Sequence, residues 1–134
     1  SIYTSEDGLI MQDARDEVRF IYLTQAINVN NELNLPEDHL SFELEFVAIM
    51  SDRAQVLLEG DGNEEALADN LRIQQSFVLN HLLNWLPLLA ERVNDCAVHA
   101  FYPAVLDITL GFLEEDEILL NEMTAVIQDQ RIAC

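Results

Sequence analysis

Leu35-Pro36-Glu37-Asp38-His39-Leu40-Ser41-Phe42-Glu43-Leu44-Glu45-Phe46 is the stretch that decides the fold. A proline, two acids and a histidine stand at the mouth of a long apolar run. Pro36 suits the first turn of a helix, where its missing N–H is no loss. Glu37 and Asp38 fall near the positive end of the helix dipole, which favours negative charge. His39 and Glu43 are four apart and share one face of such a helix. Downstream the helical period continues. Leu40, Leu44, Val47, Ala54 and Leu58 follow a three-four spacing, with Phe42, Phe46, Ile49 and Val56 as a second stripe beside it. Two adjoining stripes predict a central helix from Pro36 to about Glu59, covered on much of its circumference.

Outward from this helix the chain reads as helical nearly throughout. Upstream, Asn28 to Leu35 is a polar connector, preceded by a helix from about Gln12 to Ile27. Val18, Ile21, Tyr22 and Gln25 form the inner face of that helix, and Asp13, Asp16 and Glu17 occupy its first turns. Ser1 to Met11 reads as irregular, with a turn at Glu6-Asp7-Gly8. Downstream, Gly60-Asp61-Gly62-Asn63 breaks the chain, and Asn63 suits the N-cap of a third helix carrying Leu67, Leu71, Val78 and Leu82. A fourth helix begins near Trp85, with Pro87 in its first turn, and runs to about Ala97. Pro103 opens another through Val105, Leu106 and Leu110, which Gly111 weakens or ends. After an acidic corner at Glu114 to Glu117, a last helix carries Ile118, Met123, Val126 and Ile127. No strand alternation is sustained and no internal repeat appears. The expectation is an all-α bundle of about six helices joined by short loops, hence packed antiparallel. It forms one domain over residues 1–134.

Charge narrows the function. Twenty-five acids face six arginines, with no lysine, for a formal charge of −19. Such a surface repels phosphate backbones and anionic lipid, which argues against nucleic-acid and membrane-surface roles. It attracts basic peptides and raises their association rates, or it serves solubility alone. There is no apolar run of about 18 residues to span a bilayer, since His99, Pro103 and Asp107 interrupt Ala97 to Leu113. Two cysteines make no disulfide framework, so a reducing compartment is expected. Cys96 reads as a small core hydrophobe and Cys134 as a free terminal thiol. The chain opens at Ser1 with neither methionine nor leader, and the expectation is that its start has been removed or that part of the protein is absent.

Catalytic and metal chemistry find little support. His39 with Glu43, and Cys96 with His99, are two candidate ligand pairs, but zinc takes three or four protein ligands and neither pair has companions at ligand spacing. No nucleophile elbow, phosphate loop or dinucleotide fingerprint occurs. The expectation is no enzyme, no metal and no cofactor. His81, among Leu79, Leu82 and Leu83, and His99 both read as core or boundary residues. Trp85 and Tyr102 read as packing anchors with hydrogen-bonded tips. His39 braces the helix entrance or belongs to a site.

Several segments resemble the TorD/DmsD family of molybdoenzyme-specific chaperones. These are Ser1-Ile2-Tyr3 with Gly8-Leu9-Ile10-Met11-Gln12, Val18-Arg19-Phe20-Ile21-Tyr22, and above all Pro36-Glu37-Asp38-His39-Leu40 with Glu43-Leu44-Glu45-Phe46. Phe77, His81-Leu82, Trp85-Leu86-Pro87 and Phe101-Tyr102 continue the resemblance downstream. It covers nearly the whole chain and corresponds to the family's C-terminal two thirds, without its N-terminal helices. Val47 stands where many members carry methionine. The resemblance implies an all-helical fold and a cytoplasmic chaperone, and its implied partner is the apo-form of a molybdenum-cofactor oxidoreductase. The chaperone binds that enzyme's twin-arginine signal peptide and assists maturation before export. Some members exchange halves between protomers, so the resemblance leaves open a homodimer, domain-swapped or rearranged, as well as a monomer.

A receptor for such a peptide needs carboxylates for two guanidiniums and an apolar groove for the rest. The expected peptide-binding residues are Glu37, Asp38, His39, Leu40, Phe42, Glu43 and Phe46. In this set Asp38 contacts a guanidinium, Glu37 adds to the field and His39 orients the acid or donates to a peptide carbonyl. Leu40, Phe42 and Phe46 line the groove, or else belong to the core. The alternatives are an acidic helical adaptor for a partner helix, with no preference for paired arginines, and a nucleotide-dependent assembly factor.

Overall fold

The computed structural model describes residues 13–132 apart from 31 and 33. Among them are five α-helices and one π-helical turn, and no strand. The first, α1, is Asp13–Thr24; it buries Val18 and Tyr22 and leaves Asp16 and Glu17 outward. Its end is a Schellman cap, with Ile27 N–H donating to the Tyr22 carbonyl at 2.9 Å and Ala26 N–H to Leu23 at 3.0 Å. Ala26 takes the left-handed conformation there, at φ 52°. The connector to α2 contains a second left-handed residue, Asn34, at φ 56°.

Helix α2 is Leu40–Glu59. It starts four residues later than the sequence predicts. Pro36 stands outside it and opens a turn closed by His39 N–H on the Pro36 carbonyl at 3.0 Å. The helix buries Glu43, Phe46, Val47, Met50 and Ala54, while Val56 and Leu58 near its end are exposed. It is therefore covered along its first half and open at its far end.

Helix α3, Glu64–Phe77, follows the Gly60–Asn63 break. Gly62 supplies the positive φ, 75°, that turns the chain. Asn63 stands at the N-cap as expected, yet its side chain makes no cap bond. The π turn, Val78–Leu82, extends α3 and is closed by Leu83 N–H on the Val78 carbonyl at 2.9 Å. It places both Val78 and Leu82 fully inside. Helix α4, Leu86–Cys96, carries Pro87 in its first turn.

The last two expected helices are one: α5, Phe101–Ile132, of 32 residues. Gly111 does not end it. A glycine within a helix costs only about 1 kcal/mol. Leu106, Leu113 and Leu120, seven apart, anchor the helix on both sides of that point. Glu114 to Glu117 step around the axis rather than stacking on one face, so they do not break it either.

The core centres on Tyr22, Phe46 and Phe77, with ring centroids 5.1, 6.1 and 4.4 Å apart. Trp85 fits its expectation: it is buried, and its indole N–H donates to the His81 carbonyl at 2.6 Å. Tyr102 and Cys96 do not fit theirs. Tyr102 is 69% exposed near the start of α5, and the Cys96 thiol is exposed at the end of α4, where the chain leaves the bundle. The irregular reading of Ser1 to Met11 and the fate of Cys134 lie outside the described residues.

Candidate functional site

The Pro36–His39 turn is pinned from both sides. The Arg15 guanidinium on α1 pairs with the Glu37 carboxylate. This partner holds Glu37 below the usual carboxylate range. The Tyr22 hydroxyl donates to the Glu37 carbonyl at 3.3 Å. Burial, then the nearby Glu43 and Asp38, raise the Tyr22 phenol, so it remains a donor. On the other side His39 is the N-cap of α2. Its Nδ1 accepts from Ser41 N–H at 3.3 Å and lies 2.8 Å from the Ser41 hydroxyl. Asp38 sits between these two fixed residues, half-buried.

The seven expected peptide-binding residues thus divide. Glu37, Asp38 and His39 form the turn, and Leu40 packs half-buried behind it. Phe42 connects the turn to a hollow, with the His39 ring edge-on to it at 6.2 Å. Phe46 is 1% exposed and belongs chiefly to the aromatic core, although one side of it reaches the hollow. Glu43 is also 1% exposed, and its Oε2 has no hydrogen-bond partner among the described residues. Burial first, then the Asp38 charge, push its carboxyl up to about 9. It is neutral at pH 7 and adds nothing to an anionic field. His39 and Glu43 do not present two ligands to one open face, since one is exposed and the other sealed. Among the described residues no three His, Cys, Asp or Glu side chains are grouped to hold a metal.

The hollow has a volume of about 200 Å³ and lies between the α1–α2 connector and the first half of α2. Ile27, Val29, Phe42, Phe46 and Ile49 give it apolar walls, with Tyr22 at its base and Asn28, Asn30 and Glu45 among its polar lining. Sequence reasoning missed Glu45 and Ile49, although they stand three and seven residues after Phe42 and so share its face. It also missed Ile27 and Val29, which sit in a connector where periodicity carries no information. The result is a carboxylate-bearing corner joined through Phe42 to an apolar pocket whose lining includes another carboxylate. Such a surface can pair with guanidinium groups and seat an apolar side chain beside them.

A family model described as nitrate reductase delta subunit matches residues 1–91. Chaperone protein TorD of Vibrio cholerae serotype O1 is 31% identical over 123 residues, which are 92% of this chain and 54% of the relative. The proteins of the same name from Vibrio parahaemolyticus and Photobacterium profundum are 30% and 29% identical, each over 90% of this chain and 54% of their own length. The chain spans about half the length of the curated relatives it matches. It belongs to the nitrate reductase delta subunit family, and the TorD-like resemblance carried by Pro36 to Phe46 holds across most of its length.

Proposed function

We propose that this chain acts as a maturation chaperone for a molybdenum-cofactor oxidoreductase, in the cytoplasm and before export, and that the Pro36–His39 corner with its hollow receives the enzyme's twin-arginine signal peptide. The observation that supports this most is the junction of turn and hollow, with Asp38 held at one end, Glu45 lining the other, and Phe42 between. The two acids suit the paired guanidiniums, and the Ile27–Phe42–Ile49 pocket suits an apolar residue that follows them. Glu37 acts by positioning, because Arg15 already holds its carboxylate. The role is binding and holding, not catalysis, in keeping with relatives that are chaperones by name.

Calorimetric titration with a synthetic twin-arginine peptide tests the reading. Asp38→Ala weakens binding about tenfold or more, the loss expected for one charge-assisted hydrogen bond, with the circular dichroism spectrum unchanged. An unaltered dissociation constant removes Asp38 from the site.

A further inference from the structure

A second hollow, of about 260 Å³, opens where α2, α3 and α5 meet. It lies on the other side of α2 from the first. Phe42, Glu45, Phe46 and Ile49 line one; Ser51, Ala54, Gln55 and Leu58 line the other. At 100° per residue these two sets fall on opposite faces of the helix. The floor is α3, through Leu67, Leu71 and Gln74. The polar groups of that floor are satisfied. Ser51 donates to Gln74 Oε1 at 3.0 Å, and the Gln74 amide donates to the Met50 carbonyl at 3.2 Å and to Asn70 at 2.5 Å.

One polar atom of the lining is not satisfied. Asp116 Oδ2, on the α5 wall, is buried without a hydrogen-bond partner among the described residues. Burial alone raises this carboxyl. A carboxylate oxygen enclosed this way is costly unless a donor reaches it. Around it the surface is apolar and open: Leu58 is 65% and Leu119 52% exposed. Both walls repeat at helical spacing, residues 51, 54, 55 and 58 facing residues 116, 119, 120 and 123. Two turns of each helix, about 10 Å of axis, are therefore available to a third.

We infer that this groove seats an amphipathic helix of a partner protein, which lays a leucine-like side chain into the hollow and an arginine or lysine against Asp116. Charge selects the occupant. A protein of formal charge −19 disfavours a second copy of itself and favours a basic face. The site is independent of the Pro36–His39 corner, so the two are separable by mutation.

The test uses an amidated helical peptide of about 15 residues, with leucines at three-four spacing and one arginine beside them, read by fluorescence anisotropy. The wild-type protein binds it, Asp116→Asn weakens binding about tenfold, and Leu58→Gln weakens it about fivefold. Asp95→Asn, which removes one exposed acid of α4, leaves it unchanged. Replacing the peptide's arginine with glutamine erases the difference between wild type and Asp116→Asn. No binding, or equal effects of Asp116→Asn and Asp95→Asn, overturns the inference. Self-association in sedimentation that Leu58→Gln abolishes assigns the groove to a second copy and overturns it too.

Discussion

Burial keeps the Glu43 carboxyl protonated at neutral pH, and this sets a pH dependence for the fold. Its folded value, about 9, lies above the ordinary 4.5. The stabilising contribution is therefore complete below about pH 4.5 and is lost as pH rises towards 9. Glu43→Gln removes the ionisation while keeping the shape. We expect it to raise stability by about 2 kcal/mol at pH 8 and to change little at pH 5, measured by urea unfolding at both. A pH-independent difference argues against a neutral buried acid. Glu37 works in the opposite sense. Its Arg15 partner lowers it, so its contribution is present above the unfolded value and disappears as acid protonates it. Arg15→Ala is expected to lose about 1 kcal/mol at pH 7 and progressively less as acid protonates Glu37, measured by urea unfolding across that range.

Among the helices, two small residues invite opposite substitutions with the same expected sign. Ala26 holds a left-handed φ of 52° in the cap of α1, a conformation that glycine adopts freely. Ala26→Gly is expected to stabilise by about 0.5–1 kcal/mol. Gly111 lies within α5, and an added Cβ meets nothing within 4 Å. Gly111→Ala is expected to stabilise by a similar amount, about 0.5–1 kcal/mol, through helix propensity and a less flexible unfolded chain. Thermal melts of both variants check this; a fall in melting temperature for Gly111→Ala means that α5 bends or breaks there. The continuity of α5 could be read only in part from sequence. Leu106, Leu113 and Leu120 carry its core register, but Gly111 and the following acids mimic a helix end. What overrides them is packing of one uninterrupted leucine row against α3 and α4.

Over the whole molecule, the formal charge of −19 acts at a distance. A cationic signal peptide is steered towards the surface and its association slows as salt rises, since the Debye length falls from about 10 Å at 0.1 M to about 3 Å at 1 M. A twin-arginine peptide is expected to lose affinity over that range, while the same peptide with both arginines replaced loses much less. Equal salt slopes in parallel titrations show that the acids at the corner are not used. Much of the corner was legible in advance. Proline, the acid pair and the capping histidine act through neighbours close in sequence. The hollow was not, because Ile27 and Val29 reach it from an aperiodic connector that only the packing of α1 against the aromatic core brings over α2.

Helical class, the capped mouth of α2 and the anionic surface follow from the sequence by itself, since period, caps and net charge depend on local pattern and composition. Tertiary structure alone decided the ionisation state of Glu43, the pairing of Glu37 with Arg15 and the burial of Asp116 Oδ2 without a hydrogen-bond partner among the described residues. Each depends on which distant side chains exclude water or supply a partner, and no spacing along a single helix specifies that.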